Sequence, residues 1–136
     1  MVQNVPPVQV WEALQSDPEA VLVDVRTDAE WNFVGVPDVS GLGKETRLIP
    51  WQIYPSMKAN GGFVQQLRDA GLVERHRVYF ICRSGVRSLA AAVAAQNAGF
   101  AHAFNVADGF EGPVDADGHR GAVAGWKADA LPWRQR

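Results

Sequence analysis

The stretch Val78-Tyr79-Phe80-Ile81-Cys82-Arg83-Ser84-Gly85-Val86-Arg87-Ser88, running on into Leu89-Ala90-Ala91-Ala92, decides the fold. Its first four residues are continuously apolar and β-branched or aromatic, the pattern of a strand covered on both faces. A glycine-containing loop then leads into an alanine-rich helix, in which Val86, Leu89, Ala90, Val93 and Ala94 are expected to share the packed face. Strand, tight loop and helix make the repeating unit of a parallel sheet, and such sheets bind ligands beyond the carboxyl ends of their strands. Cys82 stands at that end. Unpaired N–H groups at the helix start, the helix dipole, Arg83 and Arg87 all favour its thiolate, so it is expected to be a nucleophile at neutral pH.

Outward from this unit the pattern repeats. Val21-Leu22-Val23-Asp24-Val25 is a second buried strand, and Thr27-Asp28-Ala29-Glu30 after it has the form of a capping box opening a helix. A short helix is predicted from Val8 to Ser16, stopped by Asp17-Pro18. Irregular chain is expected from Phe33 to Lys44, and a short strand near Arg47-Leu48-Ile49 before Pro50. Asn60-Gly61-Gly62 precedes a helix from about Phe63 to Ala70, closed by Gly71. Beyond the alanine-rich helix, Gly99-Phe100 reads as its C-terminal cap, and a last strand from Ala103 to Val106 enters a glycine- and aspartate-rich stretch. A short helix is expected around Trp126 to Ala130. The fold class is therefore α/β, a mainly parallel sheet with helices on both faces, in one domain spanning residues 1–136.

Composition narrows the function. The chain has 136 residues, 47% of them hydrophobic and 21% charged, enough for a real core. A net charge of −2 and a pI of about 5.9, with Lys and Arg scattered, argue against nucleic acid or an anionic membrane as partner. One cysteine excludes an internal disulfide, so the chain suits a reducing compartment or is indifferent to it. The beginning, Met1-Val2-Gln3-Asn4, has no basic leader, and no apolar run has the length of a membrane span, so a cytoplasmic location is expected.

Three separated segments resemble the rhodanese family of sulfurtransferases: Leu22-Val23-Asp24-Val25-Arg26 with Glu30-Trp31, the loop from Cys82 to Ser88, and Asn105-Val106 to Gly112 with Trp126 and Leu131-Pro132. The resemblance implies a three-layer α/β/α domain with a central five-stranded sheet. It also implies a cysteine that takes sulfane sulfur from a small anionic donor such as thiosulfate and passes it, as a persulfide, to cyanide or a thiol, including a protein thiol, without a cofactor. Two departures stand out. Val34-Gly35-Val36-Pro37 replaces a Gly-His-Ile type of turn, and Pro113 to Gly125 intervenes where family members pass almost directly to the tryptophan. Residues 113–125 are expected to be a loop insertion, a flap beside the site that bears on acceptor choice.

Each residue of the loop has an expected part. Backbone N–H groups from Arg83 through Val86 to Ser88 can cradle an anionic sulfur, Gly85 lets the loop curl, and Ser84 and Ser88 can donate hydroxyl hydrogen bonds. Arg83 is expected to face the mouth and attract an anionic donor, while Arg87, at the helix start, either faces the substrate or turns inward to a carboxylate such as Glu30 or Asp24. Asp24 and Arg26 read as an ion pair that scaffolds the loop. His76 and His102 precede their strands and belong at the opposite edge of the sheet, while His119 is expected on a solvated loop, so no Cys-His hydrolase is indicated. Asp115, Asp117 and Gly118 lack the ligand spacing of a calcium loop, and no metal is expected. Trp51 and Trp126, in irregular segments, are candidates for a pocket rim. A cysteine-dependent phosphatase or arsenate reductase of related fold is the enzymatic alternative. Such loops place five residues between cysteine and arginine, whereas Cys82 and Arg87 enclose four, a tighter curl that suits one sulfur atom. A non-catalytic module or persulfide carrier is the other alternative.

Overall fold

Strand β2 (Ala20–Asp24) and strand β7 (Arg77–Ile81) pair in parallel down the middle of the molecule, with Leu22 opposite Tyr79 and Asp24 opposite Ile81. The computed structural model describes residues 1–136. In chain order its elements are β1 (Gln3–Val5), α1 (Pro7–Ser16), β2, α2 (Asp28–Phe33), β3 (Val36–Pro37), β4 (Arg47–Leu48), β5 (Gln52–Ile53), β6 (Lys58–Ala59), α3 (Phe63–Asp69), β7, α4 (Val86–Asn97), β8 (Ala103–Val106) and β9 (Trp133–Arg134). Five strands form one sheet in the order β1-β8-β7-β2-β4, and every pairing in it is parallel.

Period-2 alternation along the central strands divides the core in two. Val23, Val78, Phe80 and Cys82 pack with Phe63 and Leu67 of α3 and Ala91, Ala92 and Ala95 of α4. Leu22, Tyr79 and Ile81 face the other way, toward Val10 and Leu14 of α1, Phe110 and Trp126. The three-layer α/β/α arrangement follows, because each sheet face needs an apolar cover. Phe80 is fully buried, and its truncation to Ala would cost about 3–5 kcal/mol.

Three readings from the sequence are corrected here. The packed face of α4 is Ser88, Ala91, Ala92 and Ala95, while Val86 (76% exposed), Leu89 and Val93 face outward with Ala90. Small residues win the inner position because they let the helix lie close against β7 and β8, a packing gain that outweighs leaving larger side chains in water. Trp126 is no rim residue: it is fully buried, its N–H donates to the Pro132 carbonyl at 2.7 Å, and its ring meets Trp11 edge-on at 6.1 Å. It and Phe110 complete the sheet face that α1 covers only in part. Residues 126–130 form turns rather than a helix, with Asp129 N–H bonded to the Gly125 carbonyl and Ala130 N–H to that of Lys127. Trp51, the other rim candidate, is half-buried and packs edge-on against Phe63 at 5.2 Å.

The sheet also holds a strand that sequence pattern did not indicate. β1 adds to the far edge through Asn4 opposite Asn105. Two small antiparallel pairs, β3 with β9 and β5 with β6, lie outside the main sheet. After β8 the chain folds back on the cysteine loop: Phe110 N–H donates to the Cys82 carbonyl at 2.8 Å, and the Glu111 and Gly112 N–H groups donate to that of Arg83 at 2.9 and 3.1 Å.

Candidate active site

Cys82 lies one residue past the end of β7, on the face shared with α3 and α4, and is 1% exposed. Gly85, the N-cap of α4, has φ +107°, a left-handed conformation that costs glycine little and other residues more. That twist turns its N–H back onto Cys82 Sγ at 3.1 Å. The loop therefore presents a directed backbone donor to the sulfur at the positive end of a twelve-residue helix. Of the expected cradle of N–H groups, Gly85 is the member hydrogen-bonded to the sulfur in this structure.

A second contact comes from a buried side chain. Ser88 Oγ is 3.2 Å from Cys82 Sγ and 2.5 Å from Asn105 Oδ1. Asn105 Nδ2 donates to the Gly85 carbonyl at 3.1 Å and to Asn4 Oδ1 at 2.8 Å. Sequence pattern marks Asn105 only as part of the closing segment and gives Asn4 no part in the site. Their link to the loop depends on β8 and β1 lying beside β7, which the order of residues along the chain does not reveal.

The supporting ion pairs sit where the sequence put them. Asp24 and Arg26 are completely buried, joined through Arg26 Nε and Nη2 at 2.7–3.2 Å. Arg26 Nη2 also donates to the Gly35 carbonyl at 2.7 Å, and the guanidinium lies 4.4 Å over the Phe110 ring. The pair thus ties the end of β2 to the Val34–Pro37 turn and to the segment hydrogen-bonded to Cys82. On α2, Thr27 and Glu30 form the expected capping box. The Glu30 carboxylate receives Arg87 Nη1 at 2.6 Å and Nη2 at 2.9 Å. Burial pushes the Glu30 carboxyl up, but the Arg87 guanidinium and the Thr27 N–H outweigh it and hold it below the ordinary carboxylate range. The same hydrogen bond raises Arg87.

Arg83 is exposed at the mouth, and Ser84, half-buried, adds no side-chain hydrogen bond to the sulfur. An open hollow of about 410 Å³ borders the loop, lined by Ser84, Gly85, Val86 and Leu89 and by Asn4, Asn105, Ala107 and Asp108. His76 and His102 precede β7 and β8, at the amino edge of the sheet, and His119 is exposed. No imidazole stands beside Cys82. Both terminal nitrogens of Arg87 are hydrogen-bonded to Glu30.

Residues 7–116 match the family model for the rhodanese-like domain. The chain belongs to the rhodanese-like family. Among rhodanese-like and related chains, it is 51% identical to Rv0390 from M. tuberculosis, whose crystal structure superposes with a TM-score of 0.90 over 99% of this chain and 98% of that one. An uncharacterized protein of Rickettsia rickettsii, the RP600 homolog, is 35% identical over 134 residues, 98% of each chain. The solution structure of the polysulfide-sulfur transferase homodimer from Wolinella succinogenes shares the rhodanese-like fold at 22% identity, with a TM-score of 0.67 over 99% of this chain and 80% of that one. The all-parallel five-stranded sheet agrees with this fold, and no helix is long and apolar enough to cross a membrane.

Proposed function

We propose that this rhodanese-like protein is a sulfurtransferase acting through Cys82. The thiolate attacks the outer sulfur of thiosulfate; the new Cys82 S–S bond forms as the donor's S–S bond breaks, and sulfite leaves with the electron pair. Cyanide or a thiol then attacks the outer sulfur of the persulfide, and Cys82 departs as the thiolate. The observation that carries this reading is the Gly85 N–H aimed at Cys82 Sγ at 3.1 Å in a loop that has no imidazole base and no free inner arginine. A backbone donor stabilises a sulfur anion without surrendering a proton to it, which is what a persulfide requires. Arg83 at the mouth draws in the anionic donor.

A protein thiol as acceptor is favoured by a particular surface feature. Val86, Leu89 and Val93 form an exposed apolar stripe that begins at the loop itself, and it suits a macromolecular partner better than cyanide. Residues 113–125 act as an insertion flanking this mouth: Gly112, where the insertion starts, is bonded to the Arg83 carbonyl, and Gly121 returns to Glu111. A reducing compartment such as the cytoplasm fits the free thiol. Thiocyanate release from thiosulfate and cyanide tests the reading. Turnover that disappears in Cys82→Ser supports it, and turnover that survives in that variant overturns it.

A further inference from the structure

Ser88 carries one hydroxyl proton and has two acceptors within reach, Asn105 Oδ1 at 2.5 Å and Cys82 Sγ at 3.2 Å. The orientation of the Asn105 amide is settled by its other contacts. Its nitrogen donates to the Gly85 carbonyl, which can only accept, and a flipped amide would set oxygen against oxygen there; the Asn4 amide follows that choice. Its oxygen therefore points at Ser88. A 2.5 Å contact lies at the short end for a hydroxyl donor to oxygen, so the proton is committed to Asn105 and the sulfur meets a lone pair of Ser88.

We infer that Asn105 is a positioning residue that withholds the Ser88 proton from Cys82. Resting on the reading of Cys82 as the attacking thiolate, this assigns the pair a regulatory part in the same site. A thiolate with one fewer donor is more basic and, once formed, more nucleophilic. The device sits on the structure's own coupling: Asn105 is buried, and its amide also fixes the Gly85 carbonyl at the start of α4. The charged groups around the loop are Arg83, Arg87 on α4 with Glu30 on α2, and Asp108 after β8, while the buried Asp24–Arg26 pair lies on the other sheet face against Phe110. They are the same in every variant compared.

Because Cys82 is the only cysteine, the ultraviolet absorbance of its thiolate, corrected for the two tyrosinates by their separate band at longer wavelength and for background with Cys82→Ser, follows one group without any reagent having to reach it. Ser88→Ala should leave the titration midpoint almost in place, since the lost hydroxyl was serving Asn105. Asn105→Leu, which keeps the shape and removes the acceptor, should lower the midpoint by about one pH unit as the freed hydroxyl turns to the sulfur. Its reaction with a neutral aromatic disulfide, on the high-pH plateau, should slow about threefold. In Asn105→Leu/Ser88→Ala the midpoint should return toward the wild-type position. A rise of about one pH unit in Ser88→Ala alone would show that the hydroxyl already serves the sulfur and overturn the inference, even if Asn105→Leu does not fold. An Asn105→Leu shift that persists without Ser88 overturns it equally. These titrations need no sulfur donor, so a missing thiocyanate activity would count against the transferase reading alone.

Discussion

Arg87 of α4 and Glu30 of α2 meet in a two-pronged ion pair, Nη1 to Oε1 at 2.6 Å and Nη2 to Oε2 at 2.9 Å. The contact joins the helix that starts at the cysteine loop to the helix that follows the neighbouring strand, and it occupies the loop's inner arginine. Two parallel N–H···O bonds fix orientation as well as distance, which a lysine cannot reproduce.

Breaking this pair should therefore weaken the fold. Glu30→Gln is expected to cost about 2 kcal/mol at pH 7, intermediate between an exposed pair and a buried one, measured by denaturant unfolding. Because the Glu30 carboxyl is held below its ordinary value, its stabilisation is present above the unfolded carboxylate range and fades as pH falls through the folded value. The gap between wild type and variant should narrow on acidification below about pH 4. A gap that stays constant with pH would contradict the assignment.

Arg83 should behave in the opposite way. Its side chain is exposed, so Arg83→Gln is expected to leave unfolding within about 0.5 kcal/mol of wild type. If it steers an anionic donor, the KM for thiosulfate should rise about three- to tenfold and wild-type KM should rise with salt. An unchanged KM in the variant would remove Arg83 from the donor's path.

A separate acid response belongs to the other edge of the sheet. Arg77, at the start of β7, hydrogen-bonds Asp17 just past α1 and lowers its carboxyl to about 2. The folded value lies below the unfolded one of 3.8, so this stabilisation is complete above that value and is lost as pH falls toward 2. Asp17→Asn should have a lower Tm than wild type at pH 6, and the two melting temperatures should converge near pH 2. Parallel Tm curves across this range would contradict the pairing.

Gly112 stands at the start of the stretch 113–125 that we propose as an insertion. It has φ +69°, and a Cβ there would sit 1.9 Å from the Ala124 carbonyl oxygen. Gly112→Ala should cost about 3 kcal/mol or more, since no flexible side chain can yield. Shortening the stretch between Pro113 and Gly121 should instead spare the fold and change acceptor preference more than persulfide formation. Equal loss with every acceptor would contradict a part in specificity.

What could be read along the chain was what local pattern encodes. Continuous apolar runs marked β2 and β7, the capping box marked α2, and Cys82 at a strand end marked the candidate site. The residues missed are those whose meaning comes from distant partners. Gln3-Asn4-Val5 is short and mostly polar, and it becomes a strand only because β8 offers an edge. On α4, size misled: Val and Leu outrank Ala in hydrophobicity, yet close helix–sheet contact selects Ala91, Ala92 and Ala95. Asn105 carries the pattern of a strand residue, and only the packing of β8 beside the loop puts its amide on both Ser88 and Gly85.

The most direct test is the intact mass of the protein after thiosulfate. Sulfur transfer through Cys82 predicts a gain of one sulfur atom, removed by cyanide and absent in Cys82→Ser. A folded protein that acquires no sulfur, or acquires it equally without Cys82, would contradict it.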